Sequence, residues 1–418
     1  MFGILGSDSA WCAPGAHAGS VPGSTPEPLP LAFMRTMRHA VRVEEEAILA
    51  EHAMLRSLCL LKTRLSRDQI IPENHLLFDV LREKPRGPGF LEVLPTDACN
   101  HACGWCFTSR TRSANWIEPG RLRTELEQFK KDGGASVLFS GGGEPLLYKP
   151  LLVATPEFGG RTVLQWLAAN NMWGALITHG GLLERFVENN ASALDSLAFV
   201  RVSLDASNPA EHAVRHAAGT KEFDAILRGI RLLSACRGDA PVPAIGLSFV
   251  VDPGARVNCS PAALERLGAL ANSIGADFVQ LKHVHTRDAT EADRVMVALS
   301  RELPDAGVQW WVHRYSSVSA QSRCKVPTLA QVLRSDAKRS PCCHLQGRAL
   351  ASPDAYEVHG CTSPVCRYQS MDGVLSEIRS VGDAYLLALR RLRDSFERYG
   401  FHPYRLFPSA PDLARPAA

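Results

Sequence analysis

The sequence predicts an α/β protein whose centre is an open, partial (β/α)6 barrel. From residue 90 onward, six short runs rich in Val, Leu, Ile and Phe alternate with stretches of helical periodicity. These runs are almost continuously apolar, which is typical of strands covered on both faces. Strand and helix in alternation imply parallel βαβ units, and six units are too few for a closed eight-stranded barrel.

The residues before this core divide into two parts. Residues 1–30 are dominated by Ala, Gly, Ser and Pro, which is typical of a flexible tail. Residues 31–89 carry helix formers, with apolar positions three and four residues apart as far as Arg64, and end in KPRGPG. We therefore expect a helical N-terminal extension that closes in a linker.

The core is predicted to occupy residues 90–286. Its strands are expected at 90–95, 135–141, 173–180, 197–205, 244–252 and 277–284. The last helical stretch between them ends at Gly275, a residue suited to a helix C-terminus. Since ligands of such folds bind at the carboxyl ends of the strands, functional residues are expected directly after these runs.

The chain changes character after residue 286. One helix and a strand-like segment, VQWWVHR, precede a stretch that contains five of the cysteines. We expect a small Cys-rich domain over residues 287–380, followed by a C-terminal helix and tail over residues 381–418.

Composition excludes several classes of protein. The chain has 418 residues, of which 45% are hydrophobic and 21% charged, an ordinary balance for a folded protein. Its 46 Lys and Arg oppose 43 Asp and Glu without forming a long basic block, so nucleic acid is not the expected partner. No run approaches the ~18 apolar residues of a membrane span, and no export signal is visible. We expect a cytoplasmic protein, in which 12 cysteines indicate metal ligation or redox chemistry rather than disulfides.

Two motifs carry the chemistry of the core. TDACNHACGWCF follows the first predicted strand and places Cys99, Cys103 and Cys106 on one loop, whereas SGGGEP follows the second strand. Three thiolates at this spacing fit an iron–sulfur cluster and leave one iron without a protein ligand. A structural zinc site completed by His101 is the alternative.

These motifs, in this order on successive strand ends, resemble the radical S-adenosylmethionine (SAM) superfamily. The resemblance covers residues 90–284 and implies a partial TIM-like barrel. It also implies that Cys99, Cys103 and Cys106 hold a [4Fe–4S] cluster whose open iron binds the methionyl group of SAM. In that family, an electron from the cluster cleaves SAM to a 5′-deoxyadenosyl radical, which takes a hydrogen atom from the substrate.

The resemblance also implies further contacts to SAM. By this resemblance, Trp105 would lie beside the adenine, and the turn of Gly142, Gly143 and Glu144 would contact the methionyl ammonium. Ser203 and Asp205 would contact the ribose hydroxyls, and Arg215 would contact the methionyl carboxylate. Packing is the alternative for Trp105, and solvated or capping roles are the alternatives for the last three. The third strand ends in THGG where relatives often have TNG, so we assign no role to His179.

The C-terminal cysteines suggest a second cluster. ASPDAYEVHGC at 351–361 resembles the hairpin of the auxiliary-cluster extensions called SPASM and twitch domains. By this resemblance Cys343 and Cys361 are hairpin ligands, and Cys366 with either Cys324 or Cys342 completes the set. One auxiliary [4Fe–4S] cluster is expected, with zinc on the same thiolates and His344 or His359 as the alternative.

We therefore expect a radical SAM oxidoreductase or epimerase-type enzyme. The expected substrate is a small molecule of the sugar, aminocyclitol or nucleoside type in specialised metabolism, and maturation of a ribosomal peptide is the alternative. The family further implies an electron donor such as flavodoxin or ferredoxin. A hypothesis from another class is a zinc-binding interaction protein without catalysis.

Overall fold

The structure is a computed structural model. It describes residues 90–106, 108–109, 112–132, 134, 136–240, 242–284, 289–313, 316–317, 321–324, 330–341, 358–361 and 365–366. The predicted tail, helical extension and C-terminal helix lie outside the described residues.

One sheet organises the described chain. Its nine strands run in the order β11-β10-β1-β2-β3-β4-β5-β6-β7. Every neighbouring pair is parallel except β10 and β11. The strands of this sheet are β1 Phe90–Val93, β2 Ser136–Phe139, β3 Trp173–Thr178, β4 Leu197–Ser203, β5 Ala244–Val251, β6 Phe278–His283, β7 Gln309–His313, β10 Ala330–Leu333 and β11 Arg339–Ser340.

Helices follow the strands as predicted. They are α1 Pro119–Lys131, α2 Lys149–Leu152, α3 Val163–Ala169, α4 Leu183–Asn190, α5 Pro209–His216, α6 Thr220–Arg237, α7 Pro261–Ser273 and α8 Ala289–Ser300. Short 310 helices occupy Pro145–Leu147, Pro156–Phe158 and Ala191–Ser196. The predicted α/β partial barrel is confirmed. No helix among these is long and apolar enough to cross a bilayer.

Local sequence fixes the helix ends. The Glu118 carboxylate accepts from the backbone N–H groups of Gly120 and Arg121 at 3.0 and 2.7 Å, and so caps α1. Thr162 and Gln165 form a reciprocal capping box at the start of α3. Gly275 follows α7 with a φ of 75°, a left-handed conformation that glycine adopts without strain.

The two faces of the sheet differ. On β5, Leu247 and Phe249 are fully buried in the hydrophobic core that the helices share. Burial of a side chain of this size contributes about 1.5–3 kcal/mol. Because successive strand residues point to opposite faces, Gly246, Ser248 and Val250 face the other way. We call this second face, which lies away from the helices, the inner face.

The sheet extends beyond the six predicted strands. The strand-like segment after residue 286 is β7, which pairs in parallel with β6. On the other side β10 pairs in parallel with β1 and was not predicted, because its four residues, AQVL, are too few to show a strand periodicity. Two small antiparallel ribbons complete the described chain, pairing β12 Val358–Cys361 with β9 Gln321–Cys324 and β13 Val365–Cys366 with β8 Ser316–Ser317.

Candidate functional site

Three cysteines lie on the loop that follows β1. Cys99, Cys103 and Cys106 are half-buried, and all three are free thiols. The loop begins at the carboxyl end of a parallel strand, which is the edge where α/β folds bind ligands. We call residues 97–106 the cysteine loop.

Backbone contacts hold the cysteine loop in place. The N–H of Glu144 donates to the Ala98 carbonyl at 2.8 Å, and the N–H of Ala102 donates to the His216 carbonyl at 3.1 Å. Gly143 approaches so closely that a Cβ there would lie 2.0 Å from the Ala98 carbonyl oxygen. Glycine is therefore required at this position by the loop itself.

Cationic and polar groups surround the Cys106 sulfur. Arg112 Nη2 donates to it at 2.9 Å, and Thr108 Oγ1 lies 3.2 Å away. The other terminal nitrogen of Arg112 donates to the His101 carbonyl at 2.9 Å. Arg112 thus fixes the loop and places a positive charge beside one of its thiols.

The other two thiols differ in their surroundings. The Cys103 sulfur lies 3.3 Å from the Nδ1 of His216. Burial raises the pKa of the Cys103 thiol, but contacts with His101 and His216 outweigh it and lower the pKa to about 7. Burial raises the pKa of the Cys99 thiol, although the His101 N–H donates to its sulfur at 3.4 Å. Of Cys99 and Cys103, the Cys103 thiol is therefore the more readily ionised.

One histidine of the cysteine loop packs against three others from elsewhere in the chain. We call these four residues the histidine cluster: His101, His179, His212 and His216. All four are buried. The rings of His101 and His179 stack with centroids 3.8 Å apart, and those of His212 and His216 stack at 4.4 Å. His101 also meets His216 edge-on at 5.1 Å.

Two carboxylates flank the histidine cluster. Glu222 Oε1 lies 3.0 Å from the Nε2 of His101, and Asp205 Oδ2 lies 3.3 Å from the Nε2 of His216. Both distances are typical of an ion pair, but in neither is the ring N–H directed at the carboxylate oxygen. Neither ring nitrogen has a hydrogen-bond partner within the described part of the chain. Between them, the Nδ1 atoms of His101 and His216 lie 3.2 Å apart.

The histidines have contrasting protonation. Burial lowers the pKa of His216, but the Asp205 carboxylate outweighs burial and raises it to about 10. Burial lowers the pKa of His179 to about 3. Its Nδ1 accepts from the Gly181 N–H at 3.0 Å and its Nε2 lies 2.8 Å from the Asn100 side-chain oxygen, which together fix one neutral tautomer.

His212 stacks on His216 without any polar contact. Its side chain is fully buried, and neither ring nitrogen has a hydrogen-bond partner among the residues that the structure describes. Burial and the charge of His216 lower the pKa of His212 to about 3. His212 therefore acts as a neutral aromatic support for its neighbour.

The Glu144 side chain points into the protein. Its carboxylate accepts from the Leu146 N–H at 2.9 Å, the Thr178 hydroxyl at 2.5 Å and the His179 N–H at 2.8 Å. Burial raises the pKa of this carboxyl. The side chain joins the turn after β2 to the end of β3.

The inner face carries two cations near the loop. Arg201 lies on β4 and Lys282 on β6, at alternating positions opposite to the hydrophobic core. Burial and the positive charge of Arg201 lower the pKa of Lys282 to about 8, and the charges of Asp205 and Cys103 act in the other direction. This side of the barrel can therefore attract an anionic group.

Comparison with protein families identifies this arrangement. Residues 93–243 match the family model of the radical SAM superfamily. The chain carries a radical SAM domain. The match contains the cysteine loop, the turn after β2 and the histidine cluster, and the family implies a [4Fe–4S] cluster and SAM as cofactors. No curated protein matches the chain.

Several solved structures align with the chain at low identity. SuiB of Streptococcus suis bound to precursor peptide SuiA is 14% identical, with a TM-score of 0.48 over 67% of this chain and 66% of that one. SuiB bound to SAM is 14% identical, with a TM-score of 0.48 over 76% and 73%. anSMEcpe with AdoMet and the Cp18Cys peptide is 15% identical, with a TM-score of 0.42 over 78% and 100%. In the first alignment the chain spans just under two thirds of SuiB.

The spacing of the candidate metal ligands in this radical SAM domain can be compared with that around a single ion. In the described part of the chain, the metal-ligating groups whose atoms all lie within 4.8 Å of one another are His101–Cys103–His216 and His101–His179–Glu222. The three cysteines do not form such a group. A tetrahedral zinc ion would hold its thiolates about 3.8 Å apart, given Zn–S bonds of about 2.3 Å. At least one pair of these sulfurs is therefore farther apart than the thiolates around one zinc ion.

The compact group of His101, His179 and Glu222 is a poor ion site. The rings of His101 and His179 are only 21° from parallel and are stacked, so their in-plane lone pairs cannot converge on one ion. The Nδ1 of His179 already accepts a backbone hydrogen bond. The zinc site completed by His101 stays an alternative, since His101, Cys103 and His216 present ligand atoms within 4.8 Å of one another.

The remaining predicted SAM contacts of the domain fall into two kinds. Trp105 is half-buried, its ring 6.1 Å from that of His216, and Ser203 ends β4 on the inner face. Asp205 is buried, and its carboxylate accepts from the Val250 N–H at 2.6 Å and faces His216. Arg215 donates to the Asp205 carbonyl and to the Asn258 side chain and pairs with Glu211. Asp205 and Arg215 are thus engaged within the protein.

The C-terminal cysteines are described only in part. Cys342 and Cys343 lie outside the described residues. In the ribbon of β9 and β12, Cys324 pairs with Val358 and Cys361 pairs with Gln321. Cys366 pairs with Ser316 in the second ribbon. Cys324 and Cys361 therefore occupy register positions three residues apart, a separation of about 10 Å.

Sequence reasoning missed the histidine cluster and the two inner-face cations. His212 and His216 are four residues apart on α5, a spacing that places both on one helix face. That spacing was a usable signal. The contact of these two residues with His101 and His179 could not be predicted, because the four histidines come from three separate segments of the chain.

Proposed function

We propose that Cys99, Cys103 and Cys106 hold a [4Fe–4S] cluster with which the chain cleaves SAM reductively and abstracts a hydrogen atom from a substrate. One observation carries the proposal. The three half-buried thiols share one loop at the carboxyl end of β1, and at least one pair of their sulfurs is farther apart than the thiolates around one zinc ion. The match of residues 93–243 to the radical SAM superfamily supports the same assignment.

The protein residues have definable roles in this chemistry. When bound, the cluster supplies the electron that converts SAM to methionine and a 5′-deoxyadenosyl radical. Arg112 Nη2 donates to the Cys106 sulfur and His216 Nδ1 lies 3.3 Å from the Cys103 sulfur, so both are proposed to hold the cysteine loop in place. Gly143 lets the cysteine loop approach the turn after β2.

The proposed SAM contacts follow from which side chains of the described residues are not already engaged by other protein groups. Trp105 and Ser203 are proposed to border the adenine and the ribose. The turn Gly142–Glu144 is proposed to meet the methionyl ammonium through its backbone, since the Glu144 carboxylate accepts three hydrogen bonds from the protein. Lys282 is a better candidate than Arg215 for the methionyl carboxylate, because Arg215 is already paired.

The substrate is proposed to be a small molecule of the sugar, aminocyclitol or nucleoside type, with a ribosomal peptide as the alternative. SuiB and anSMEcpe are described with peptides. At 14–15% identity their likeness concerns the fold, so the substrate class rests on experiment. Reaction with candidate substrates deuterated at one carbon distinguishes the classes, because deuterium appears in 5′-deoxyadenosine only from the true substrate.

An auxiliary [4Fe–4S] cluster is proposed on the C-terminal cysteines. Cys343, Cys361 and Cys366 with Cys324 or Cys342 are its candidate ligands. The two antiparallel ribbons support this by placing Cys324, Cys361 and Cys366 on short paired strands. A low-potential donor such as flavodoxin or ferredoxin is the proposed electron source, and the cytoplasm the proposed compartment.

Anaerobic reconstitution tests the proposal directly. Protein reconstituted with iron and sulfide should be brown, contain at least four irons and form 5′-deoxyadenosine from SAM on reduction. Protein that takes up zinc in place of iron and leaves SAM intact would instead establish the non-catalytic zinc-binding module. Reduction without SAM provides the background for the assay.

A further inference from the structure

One buried carboxylate of the inner face is separate from the residues proposed to bind the cluster and SAM. Glu92 is the third residue of β1 and is 6% exposed. Its neighbours in the chain, Leu91 and Val93, are fully buried in the hydrophobic core. Because successive strand residues point to opposite faces, the Glu92 side chain is directed to the inner face of the barrel.

The protein satisfies only part of the Glu92 carboxylate. Ser140, directly after β2, donates its hydroxyl to Oε1 at 2.6 Å. Among the residues that the structure describes, Oε2 has no hydrogen-bond donor, and no Lys, Arg or His nitrogen lies within 4.0 Å of the carboxylate. Burial of a carboxylate without a counter-charge is costly. The Glu92 carboxylate is therefore suited to a cationic ligand that supplies the missing charge.

The strands beside Glu92 keep water away from its carboxylate. In register, Glu92 lies between Val332 of β10 and Leu138 of β2, and both aliphatic side chains are buried. Register partners of neighbouring strands share one face of a sheet, so these two side chains also face inward. In such surroundings the attraction between a carboxylate and a bound cation is stronger than in water.

The other side of the inner face carries the opposite charge. Arg201 lies on β4 and Lys282 on β6, three and five strands away from β1 in the sheet. These cations repel an ammonium group from their side of the barrel, whereas a neutral hydroxyl group is little affected. The inner face therefore orients a ligand that carries an amine, with the amine toward β1.

We propose that Glu92 is a specificity-determining residue that binds the ammonium group of the substrate, with Ser140 holding the carboxylate in place. The inference rests on the proposed function, because it takes the barrel interior as the substrate site. It narrows the substrate to an amine-bearing small molecule of the cyclitol or sugar type. Glu92 lies within β1, whereas the turn Gly142–Glu144 proposed for the methionyl ammonium follows β2. The two ammonium groups therefore bind at different depths.

The test compares two ring probes that differ in one group, cyclohexylammonium and cyclohexanol. Their binding to the full-length reconstituted protein, oxidised and saturated with SAM, is measured by ligand-observed nuclear magnetic resonance. The wild type should bind cyclohexylammonium at least about tenfold more tightly. In Glu92→Gln, which has the same shape without the charge, this preference should fall about tenfold, and the affinity for cyclohexanol should stay unchanged. The matched control is Glu127→Gln on α1, which should keep the wild-type preference.

Glu92→Asp keeps the test decisive if Glu92→Gln does not fold. This variant retains the charge on a shorter side chain, so it should still prefer cyclohexylammonium. Equal or absent binding of the two probes by the wild type, an unchanged preference in Glu92→Gln or an equal fall in Glu127→Gln would overturn the inference. Weaker SAM binding by Glu92→Gln would also overturn it, because the carboxylate would then belong to the SAM site. Wild-type protein that takes up no iron would overturn the proposed function instead.

Discussion

The backbone N–H of His179 donates a 2.8 Å hydrogen bond to the carboxylate of Glu144. This bond joins the turn after β2 to the end of β3, next to the cysteine loop. Glu144 in turn donates its own N–H to Ala98 on that loop. Three successive strand ends are therefore linked through one residue, and the loop geometry depends on it.

Removal of the Glu144 carboxylate should destabilise the fold more than it weakens SAM binding. Glu144→Ala leaves three donors without an acceptor, at Leu146, Thr178 and His179. We expect a loss of about 2–4 kcal/mol in the free energy of unfolding, measured with urea on the apoprotein.

The control for this variant is Glu127→Ala. Glu127 is a partly exposed residue of α1 that pairs with Arg123, and its loss should cost under ~0.5 kcal/mol. Equal stability of the two variants, with SAM affinity lost only in Glu144→Ala, would place the carboxylate in the ligand site.

Substitution of Gly143 should lower cluster occupancy. In Gly143→Ala the new Cβ would lie 2.0 Å from the Ala98 carbonyl oxygen, so the cysteine loop must move. We expect bound iron after reconstitution to fall by more than half. Gly104→Ala is the matched control on the same loop, since a Cβ there has no neighbour within 4 Å. Similar iron contents in both variants would contradict the packing argument.

Each cysteine of the loop should be required for SAM cleavage. Replacement of Cys99, Cys103 or Cys106 by Ala should reduce 5′-deoxyadenosine to background. Cys259→Ala should retain wild-type formation, because this half-buried thiol donates to the Val257 carbonyl and lies on a different loop. Wild-type product from a variant lacking all three loop cysteines would disprove the cluster assignment.

The C-terminal cysteines should serve the substrate step alone. A variant that lacks Cys343 and Cys361 should still cleave SAM slowly but fail to convert substrate. Protein without the three loop cysteines should retain about four irons on the auxiliary site. Binding of one zinc and no iron by that protein would replace the auxiliary cluster with a structural metal site.

Replacement of Lys282 by Met should stabilise the apoprotein at neutral pH. The folded chain releases the Lys282 proton at a pKa of about 8, whereas the unfolded chain holds it to about pH 10.4. The lowered pKa of Lys282 therefore reduces the free energy of unfolding by its full amount below about pH 8. This reduction disappears above about pH 10.4. We expect the melting temperature to rise by a few degrees at pH 7, and the difference to shrink toward zero by pH 10.5.

Lys130→Met provides the comparison for Lys282. Lys130 is exposed on α1 and contacts the Asn170 side chain at 3.2 Å. Its replacement should leave the melting temperature unchanged at both pH values. A gain for Lys282→Met that is as large at pH 10.5 as at pH 7 would show that packing and not charge is responsible.

The sequence by itself determined the order of the strands and helices of the core and the position of the cysteine loop. Alternating apolar runs and helical stretches predict parallel strands because these periodicities are local properties of the chain. The spacing of Cys99, Cys103 and Cys106 is equally local, so one short segment carries the whole signature. The turn at Gly142–Glu144 could be recognised for the same reason.

Only the tertiary structure decided which polar groups are free and which are committed. Asp205 and Glu144 look alike as strand-end carboxylates in the sequence, yet both are engaged by partners more than thirty residues away. The histidine cluster and its two flanking carboxylates depend on side chains from the cysteine loop, the segments after β3 and β4, α5 and α6 meeting at one point. Hydrogen bonding and burial are set by packing across the sheet, and local periodicity contains no record of these distant contacts.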